Sequence, residues 1–305
     1  METGTTMPHR RMVWVSTLTP QCLFATYSPI FCSSPIESRP PRRGAYDLLM
    51  DIDVAQWAVL LVGAAGAGWI DAVIGGGGLV LIPLLLAVVP GLAPATALAT
   101  NKLAAVSGTA SAAVTLARKV RPPAGELVRY ALIALVCAGL GASVAANLNS
   151  EIMRPLIIVL LVVVGVFVTF KPSFGTTESP GIRGGWRTWA GLVAVAAISF
   201  DDGIFGPGTG MFLIMAFTFI FSQNFLKSAA MAKVVNTATN LGALVTFILG
   251  GHVWWALGIA LAAANILGAQ VGARTVLSGG TKFIRYALLT LVVVMSCYLS
   301  WQQWG

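Results

Sequence analysis

Long apolar runs separated by short polar breaks dominate the chain after residue 50. About 20 apolar residues in a helix cover the hydrocarbon core of a bilayer, so each run near that length predicts a membrane span. The pattern therefore predicts an all-α polytopic integral membrane protein with about eight to ten membrane segments. The runs cover residues 54–74, 94–117, 127–146, 155–170, 226–249, 254–271 and 283–299.

Composition supports a membrane protein and argues against other classes. The chain is 57% hydrophobic and only 10% charged, whereas a soluble domain carries about 25% charged residues. The net charge of +8 comes mostly from Arg and Lys in short breaks and in the first fifty residues, which is typical of cytoplasmic loops rather than of a nucleic-acid groove. Four cysteines without CxxC spacing and two histidines predict no disulfide framework, metal site, cofactor or enzymatic centre.

Residues 1–49 differ from the rest because they are rich in proline and basic residues and contain no clean apolar run. We interpret them as an N-terminal extension, either a disordered tail or a segment upstream of a natural start at Met50. A signal peptide is the alternative, since Arg10 and Arg11 precede a mildly apolar stretch. Pro20 and Pro29 interrupt that stretch, and no cleavage site is obvious.

An internal duplication divides the remaining chain into two homologous repeats. The segment 68–78 resembles the segment 199–209, with Asp71 and Asp202 at an offset of 131 residues. The same offset relates further pairs: Lys102 and Lys233, Thr109 and Asn240, Thr115 and Thr246, Arg154 and Arg285, and residues 160–164 and 291–295. The sequence thus predicts a first transmembrane repeat at 50–172, a cytoplasmic linker at 173–188 and a second repeat at 189–305.

Loop charges predict that the two repeats have inverted topology. The basic break at 118–121 has the uncharged break 250–253 as its counterpart, and the next pair of breaks, 147–154 and 274–285, shows the reverse bias. Inversion requires each repeat to cross the membrane an odd number of times. Residues 54–90 satisfy this as two full crossings or as a re-entrant pair of half-helices, but not as a single broken helix.

Glycine-rich breaks interrupt one apolar run in each repeat, so we expect Gly-broken helices there. Gly75 and Gly77 lie in the first break, and Gly206, Gly208 and Thr209 lie in the second. A helix that restarts at such a break points unpaired N–H groups and the positive end of its dipole at the surroundings, which suits an anion. Close helix packing is the alternative, because small residues line many transmembrane interfaces.

Charged residues inside the apolar runs are the other candidates for chemistry. Lys102 and Lys233 occupy equivalent places, and an ionisable group at such depth usually faces a cavity or a partner. Asp71 and Asp202 are the nearest candidate partners within each half. The lysines are predicted to draw an anion to the midplane, and the aspartates to exchange a coupling proton. The alternative is a pair of ion pairs that only fix the helices.

Polar neighbours extend the candidate path. Asn236 and Asn240 follow Lys233 on one helical face, Thr109 stands seven residues after Lys102, and Asn101 adjoins that lysine. Each of them is a candidate substrate ligand, although bonding to a neighbouring helix is the more common fate of a membrane Asn or Thr.

The segments 71–78 and 100–102, together with 202–210, Lys233 and Asn236, resemble the sulfite exporter TauE/SafE family of bacterial permeases. The resemblance runs from about Asp51 to the C-terminus, with Ala72 in the first repeat departing from Gly203 in the second. It implies a multi-pass secondary transporter of the bacterial inner membrane that exports a small anion, with sulfite or sulfoacetate as leading candidates. A passive anion channel and a permease for another solute remain alternatives.

Overall fold

A computed structural model describes residues 52–148, 151–153, 155–159 and 186–278, and within these ranges the regular structure is α-helical. Eight helices with defined bounds follow one another: α1 (Val54–Ile74), α2 (Gly78–Val88), α3 (Pro94–Val120), α4 (Ala124–Ala146), α5 (Arg187–Ile204), α6 (Thr209–Phe221), α7 (Phe225–Leu249) and α8 (Trp255–Ser278). The N-terminal extension, the span predicted at 283–299 and most of the span predicted at 155–170 lie outside the described residues.

Local sequence signals fix where several of these helices begin. Asp53 and Gln56 form a capping box at the start of α1, in which each side chain accepts a hydrogen bond from the other residue's backbone N–H. Asn224 caps α7 by accepting from the N–H of Lys227. Pro94 opens α3, where its missing N–H removes no helical hydrogen bond.

Four described helices, α1, α4, α7 and α8, are long and apolar enough to cross a membrane. On α4, Val128, Leu132, Val136 and Leu140 are exposed at four-residue intervals, so they form one apolar stripe on its outer face. Such a stripe is stable against lipid chains and unfavourable against water. The helices α2 and α6 are shorter apolar segments.

The helices α1 and α2 form an antiparallel hairpin. The side-chain amide of Gln56, near the start of α1, donates to the carbonyl of Val88 at the end of α2 over 3.1 Å. Gly63 in mid-α1 lies against the side chain of Leu84, so the two helices stay together along their length. The chain therefore returns to the end from which it entered, which excludes a single broken helix over residues 54–90.

The helices α5 and α6 form a second antiparallel hairpin. The guanidinium of Arg187 donates to the carbonyl of Phe221 over 2.9 Å and lies over the ring of that residue. Gly191, one turn further along α5, also lies against the Phe221 ring. The start of α5 and the end of α6 are thus adjacent, as in the first hairpin.

The two hairpins come from opposite ends of the molecule. Short connections join α2 to α3 and α3 to α4, so α4 begins at the end opposite the start of α1. On α4, Tyr130 lies against Gly191 and Gly141 lies against Phe200, so α4 and α5 run parallel. The α5–α6 hairpin therefore begins where α4 begins, opposite the outer end of the α1–α2 hairpin.

Helix α8 runs parallel to α1 in the same way that α5 runs parallel to α4. Gly268 lies against the backbone of Ala65, and Gly272 lies against that of Trp69, one turn further along both helices. A Cβ at Gly268 would overlap the carbonyl of Ala65, so the helices approach more closely than any larger residue permits. Gly141 and Gly203 allow the same close approach between α4 and α5.

Positive charge is concentrated at one end of this bundle, which we call the basic end. It carries seven described basic residues: Arg118, Lys119, Arg121, Arg129, Arg187, Lys227 and Arg274. The non-basic end comprises the start of α1, the α2–α3 connection, the end of α4 and the α7–α8 connection. These described segments contain Asp53 and His252 but no Lys or Arg.

Candidate functional site

The two glycine breaks meet in the interior of the bundle. Gly75 at the end of α1 lies against Gly210 at the start of α6, and a Cβ on Gly210 would come within 2.5 Å of the Gly75 Cα. Gly75, Gly206 and Gly208 have φ angles of 85°, 86° and 82°, which L side chains rarely adopt. The glycines thus serve both the turn at each hairpin tip and the contact between the tips.

Each buried lysine pairs with the aspartate of the other half of the chain. The Nζ of Lys102 on α3 lies 2.8 Å from Oδ2 of Asp202 at the tip of the second hairpin. The Nζ of Lys233 on α7 lies 3.0 Å from Oδ2 of Asp71 at the tip of the first. Pairing within each half, which proximity along the sequence suggests, is therefore wrong, because each hairpin tip reaches across to the lysine-bearing helix of the other half.

Burial makes the loss of either partner of these ion pairs costly in free energy. The side chains of Lys102 and Asp202 are 1% and 2% exposed. Desolvating both charges offsets much of their attraction, but removing one partner leaves an uncompensated buried charge and costs about 3–5 kcal/mol. The pairs therefore hold the tips strongly as long as both members are charged, and they weaken sharply when one member is neutralised.

The two aspartates have different surroundings. The hydroxyl of Thr209 lies 2.6 Å from Oδ1 of Asp202, to which it donates. Asp71 has no hydroxyl partner at the equivalent place, since Gly78 replaces the threonine, and it accepts instead from the N–H of Gly77 over 3.3 Å. Lys233 also donates to the backbone carbonyl of Asp71. The Asp71 side chain is 13% exposed, so this pair is the less enclosed of the two.

Gly206 lies beside Lys102, the buried lysine of the first half of the chain. A Cβ on Gly206 would lie 2.9 Å from the Nζ of Lys102 and 3.3 Å from Oδ1 of Asp202. The absence of a side chain thus makes room for the ammonium group directly beside the start of α6. An ammonium next to the positive end of a helix dipole is an arrangement that favours an anion.

The other predicted side-chain ligands lie buried on α3 and α7, and three of them form hydrogen bonds within their own helices. Thr109 donates to the carbonyl of Ala105 over 2.7 Å, and the side-chain amide of Asn240 donates to the carbonyl of Asn236 over 2.8 Å. Asn101 is buried beside Lys102. None of these four side chains forms a described hydrogen bond to the Lys–Asp pairs.

Three further polar residues on α3 and α5 were not predicted as ligands. The hydroxyls of Thr100 and Ser199 are fully buried and have no hydrogen-bond partner among the residues that the structure describes. Thr100 precedes Lys102 by two residues, and Ser199 precedes Asp202 by three. Asp201 is half-buried beside Asp202, and its nearest charges include Asp202 and Lys102. Burial of a hydroxyl depends on tertiary packing, so hydropathy alone could not single these residues out.

The arrangement brings charged groups and hydrogen-bond donors together in the bundle interior. Within the described ranges, no group of three His, Cys, Asp or Glu residues is placed to hold a metal ion. The chemistry present consists of two ammonium groups, carboxylates that compete for them, and two helices that begin at the glycine tips.

Comparison with known proteins gives one family. The family model described as "Sulfite exporter TauE/SafE" matches residues 59–299. The chain is similar to "Probable membrane transporter protein YfcA" of Escherichia coli strain K12, with 37% identity over 248 residues that cover 81% of this chain and 90% of the relative. No solved structure matches the chain significantly.

Two further relatives carry the same kind of name. A "Probable membrane transporter protein" of Haemophilus influenzae is 33% identical over 254 residues, which cover 83% of this chain and 98% of the relative. "Probable membrane transporter protein ORF9" of Sinorhizobium sp. is 32% identical over 251 residues, which cover 82% and 95%.

Proposed function

We propose a specific transport function for this chain, which belongs to the sulfite exporter TauE/SafE family of membrane transporters. The chain is a multi-pass protein of the bacterial inner membrane and a transporter rather than an enzyme. The proposal concerns its substrate, the direction of transport and its coupling.

The proposed function is secondary transport of a small anion, in the direction of export, with sulfite and sulfoacetate as the leading substrates. The observation that carries it is the pair of buried lysines, each held at the glycine tip of a helix hairpin in the bundle interior. A cation at such depth is expensive in a membrane, so its presence favours a functional role. The direction and the sulfur chemistry rest on the family's description.

Competition for the lysines provides a mechanism of substrate binding. Asp71 and Asp202 occupy the ammonium groups when no substrate is bound. A proton on either carboxylate removes its charge and leaves the lysine free for the substrate anion, which couples anion binding to proton binding. The proposed ligands are Lys102 and Lys233, the backbone at Gly75, Gly77, Gly206 and Gly208, and the side chains of Asn101, Thr109, Thr209, Asn236 and Asn240.

Two inverted repeats, 50–172 and 189–305, form the proposed scaffold. Supporting it, α1 and α5 begin at opposite ends of the bundle, and α8 packs along α1 as α4 packs along α5. By the positive-inside rule, we assign the basic end to the cytoplasm, because the described part of the non-basic end has no Lys or Arg. The linker 173–188 then ends on the cytoplasmic side.

A passive anion channel is the second candidate, because it would use the same charges and glycines. The enclosure of both ion pairs favours a transporter, since a conducting pore needs a continuous wet path. A permease of the same fold for another solute is a further alternative. It would couple transport to proton binding in the same way and would differ only in the substrate.

Flux of sulfite and of sulfoacetate into proteoliposomes, with and without an imposed pH gradient, tests the proposal. Uphill movement that requires the gradient is expected. Movement that only ever follows the anion's own gradient would make the protein a channel. Absence of flux for both anions, while other small anions move uphill, would refute the substrate assignment and leave the transporter standing.

A further inference from the structure

We propose that the two Lys–Asp pairs are separate gates, one toward each face of the membrane: Lys102–Asp202 closes the path from the non-basic face, and Lys233–Asp71 closes it from the basic face. This inference rests on the proposed transport function, since a gate requires a transport path. It adds to the proposed function that the two chemically similar pairs close opposite sides of the transport path.

The depths of the four residues place the pairs at different levels. Lys102 lies eight residues along α3 from the non-basic end, which is about 12 Å at the helical rise, and Lys233 lies equally far along α7 from the basic end. Asp202 lies fifteen residues along α5 from the basic end, or about 22 Å, and Asp71 lies seventeen residues along α1 from the non-basic end, or about 26 Å.

Each hairpin tip thus passes the midplane of a core about 30 Å thick and is held in the far half of the membrane. The α5–α6 hairpin comes from the basic end, and its Asp202 is held by a lysine near the non-basic end. The α1–α2 hairpin comes from the non-basic end, and its Asp71 is held by a lysine near the basic end.

Release of one tip opens the interior to one face only. Without its bond to Lys102, the α5–α6 tip no longer plugs the half of the bundle nearer the non-basic end, while Lys233–Asp71 still closes the other half. The reverse holds when Lys233–Asp71 separates. Protonation or anion binding at one pair at a time therefore gives alternating access, with the other pair keeping the membrane sealed.

The two gates differ in exposure and in hydrogen bonding. Asp202 accepts from Thr209 and is 2% exposed, whereas Asp71 accepts from a longer backbone hydrogen bond and is 13% exposed. A wetter ion pair is screened more strongly and separates more easily. Lys233 also donates to the backbone carbonyl of Asp71, so this additional bond opposes the effect of screening at the gate toward the basic face.

Sided thiol labelling tests the assignment without any substrate. The reporter is Gly78→Cys, because a Cβ there meets its nearest atoms, Gly206 O and Ile82 Cδ1, at an ordinary 3.5 Å. The four native cysteines are first replaced by serine. A membrane-impermeant maleimide is then applied to each face in turn of the reporter protein and of its Asp202→Asn and Asp71→Asn derivatives.

Asp202→Asn is expected to raise labelling several-fold from the non-basic face only, and Asp71→Asn from the basic face only. Asp202→Glu and Asp71→Glu, which keep the charge, serve as controls, and their extent of labelling should be closer to that of the reporter protein than the labelling of the Asn variants is. Where an Asn variant does not insert, Lys102→Met or Lys233→Met breaks the same pair from the other side. Labelling that rises from the same face in both variants, or in neither, overturns the assignment.

The labelling result and the flux result can fail independently of each other. A protein that fails to move sulfite or sulfoacetate can still show opposite sidedness in the two variants, in which case the gates stand and only the substrate changes. A protein that transports either anion but shows no sidedness retains its function and loses the two-gate assignment.

Discussion

At the scale of single residues, the lysines and aspartates stand out in the sequence because charge inside an apolar run is costly. The sequence does not show which lysine pairs with which aspartate. Separation along the chain favours Lys102 with Asp71, yet the structure joins Lys102 to Asp202 and Lys233 to Asp71. The difference arises because the partner of a buried charge is chosen by how hairpin tips pack in three dimensions, which a sequence pattern does not encode.

A double-mutant cycle checks the pairing across the halves. Lys102→Met and Asp202→Leu should each destabilise the protein strongly, and the double variant should recover most of the loss, because an apolar pair replaces a buried ion pair at little net cost. Because each single change costs about 3–5 kcal/mol and the double variant little, the expected coupling free energy is at least about 3–5 kcal/mol, measured by unfolding in mixed micelles. An equal or larger coupling between Lys102→Met and Asp71→Leu would contradict the structure.

The contact between the glycine tips gives a second prediction at this scale. Gly75→Ala places a Cβ into the backbone of Gly210 and Met211, while Gly91→Ala shares a positive φ but meets nothing within 4 Å. Both variants bear the strain of the left-handed region, and only Gly75→Ala also bears overpacking of about 1–3 kcal/mol. Equal thermal stability of the two variants would show that the tips are not in contact.

At the scale of helices, the runs of hydropathy predicted where most helices lie but not how they fold back. The pattern over residues 54–90 allowed two crossings, a re-entrant pair or one broken helix. The hydrogen bond from Gln56 to Val88 shows an antiparallel hairpin, which removes the last alternative. Hydropathy could not decide this, because a glycine break is equally apolar whether the chain continues forward or turns.

Close packing of parallel helices is testable with matched glycine variants. Gly268→Ala introduces a Cβ that overlaps the carbonyl of Ala65, so it should destabilise the α1–α8 contact by about 1–3 kcal/mol. Gly66→Ala lies on α1 beside open space and should be neutral or slightly stabilising, because alanine favours helix. Thermal unfolding in detergent measures both, and a Gly268→Ala protein as stable as Gly66→Ala would exclude the close approach.

At the scale of the whole molecule, the charge of the loops and the direction of the helices agree. The sequence comparison of the breaks 118–121 and 250–253 predicted opposite sides, and in the structure these connections lie at opposite ends of the bundle. The predicted matches at Arg154 and Arg285, and at residues 160–164 and 291–295, lie outside the described residues. The duplication as a whole therefore stays a prediction, supported by the paired helix contacts.

Sided accessibility checks the proposed orientation. In a background without native cysteines, Arg121→Cys is expected to react with an impermeant thiol reagent only from the cytoplasm, and Gly251→Cys only from outside, because the positive-inside rule assigns the basic end to the cytoplasm. A Cβ on Gly251 meets nothing within 4 Å, so the cysteine has room there, although the positive φ of 69° adds backbone strain. Reaction of both positions from one side would contradict the arrangement of α3, α4, α7 and α8.

The buried lysines as the means of anion transport are the central claim, and anion flux in proteoliposomes of Lys233→Ala and Lys227→Ala tests it most directly. Both variants remove one positive charge from α7, but only Lys233 is fully buried and bonded to the Asp71 tip. Lys233→Ala should insert normally and lose uphill flux, whereas Lys227→Ala should retain it. Wild-type flux in Lys233→Ala would contradict the account.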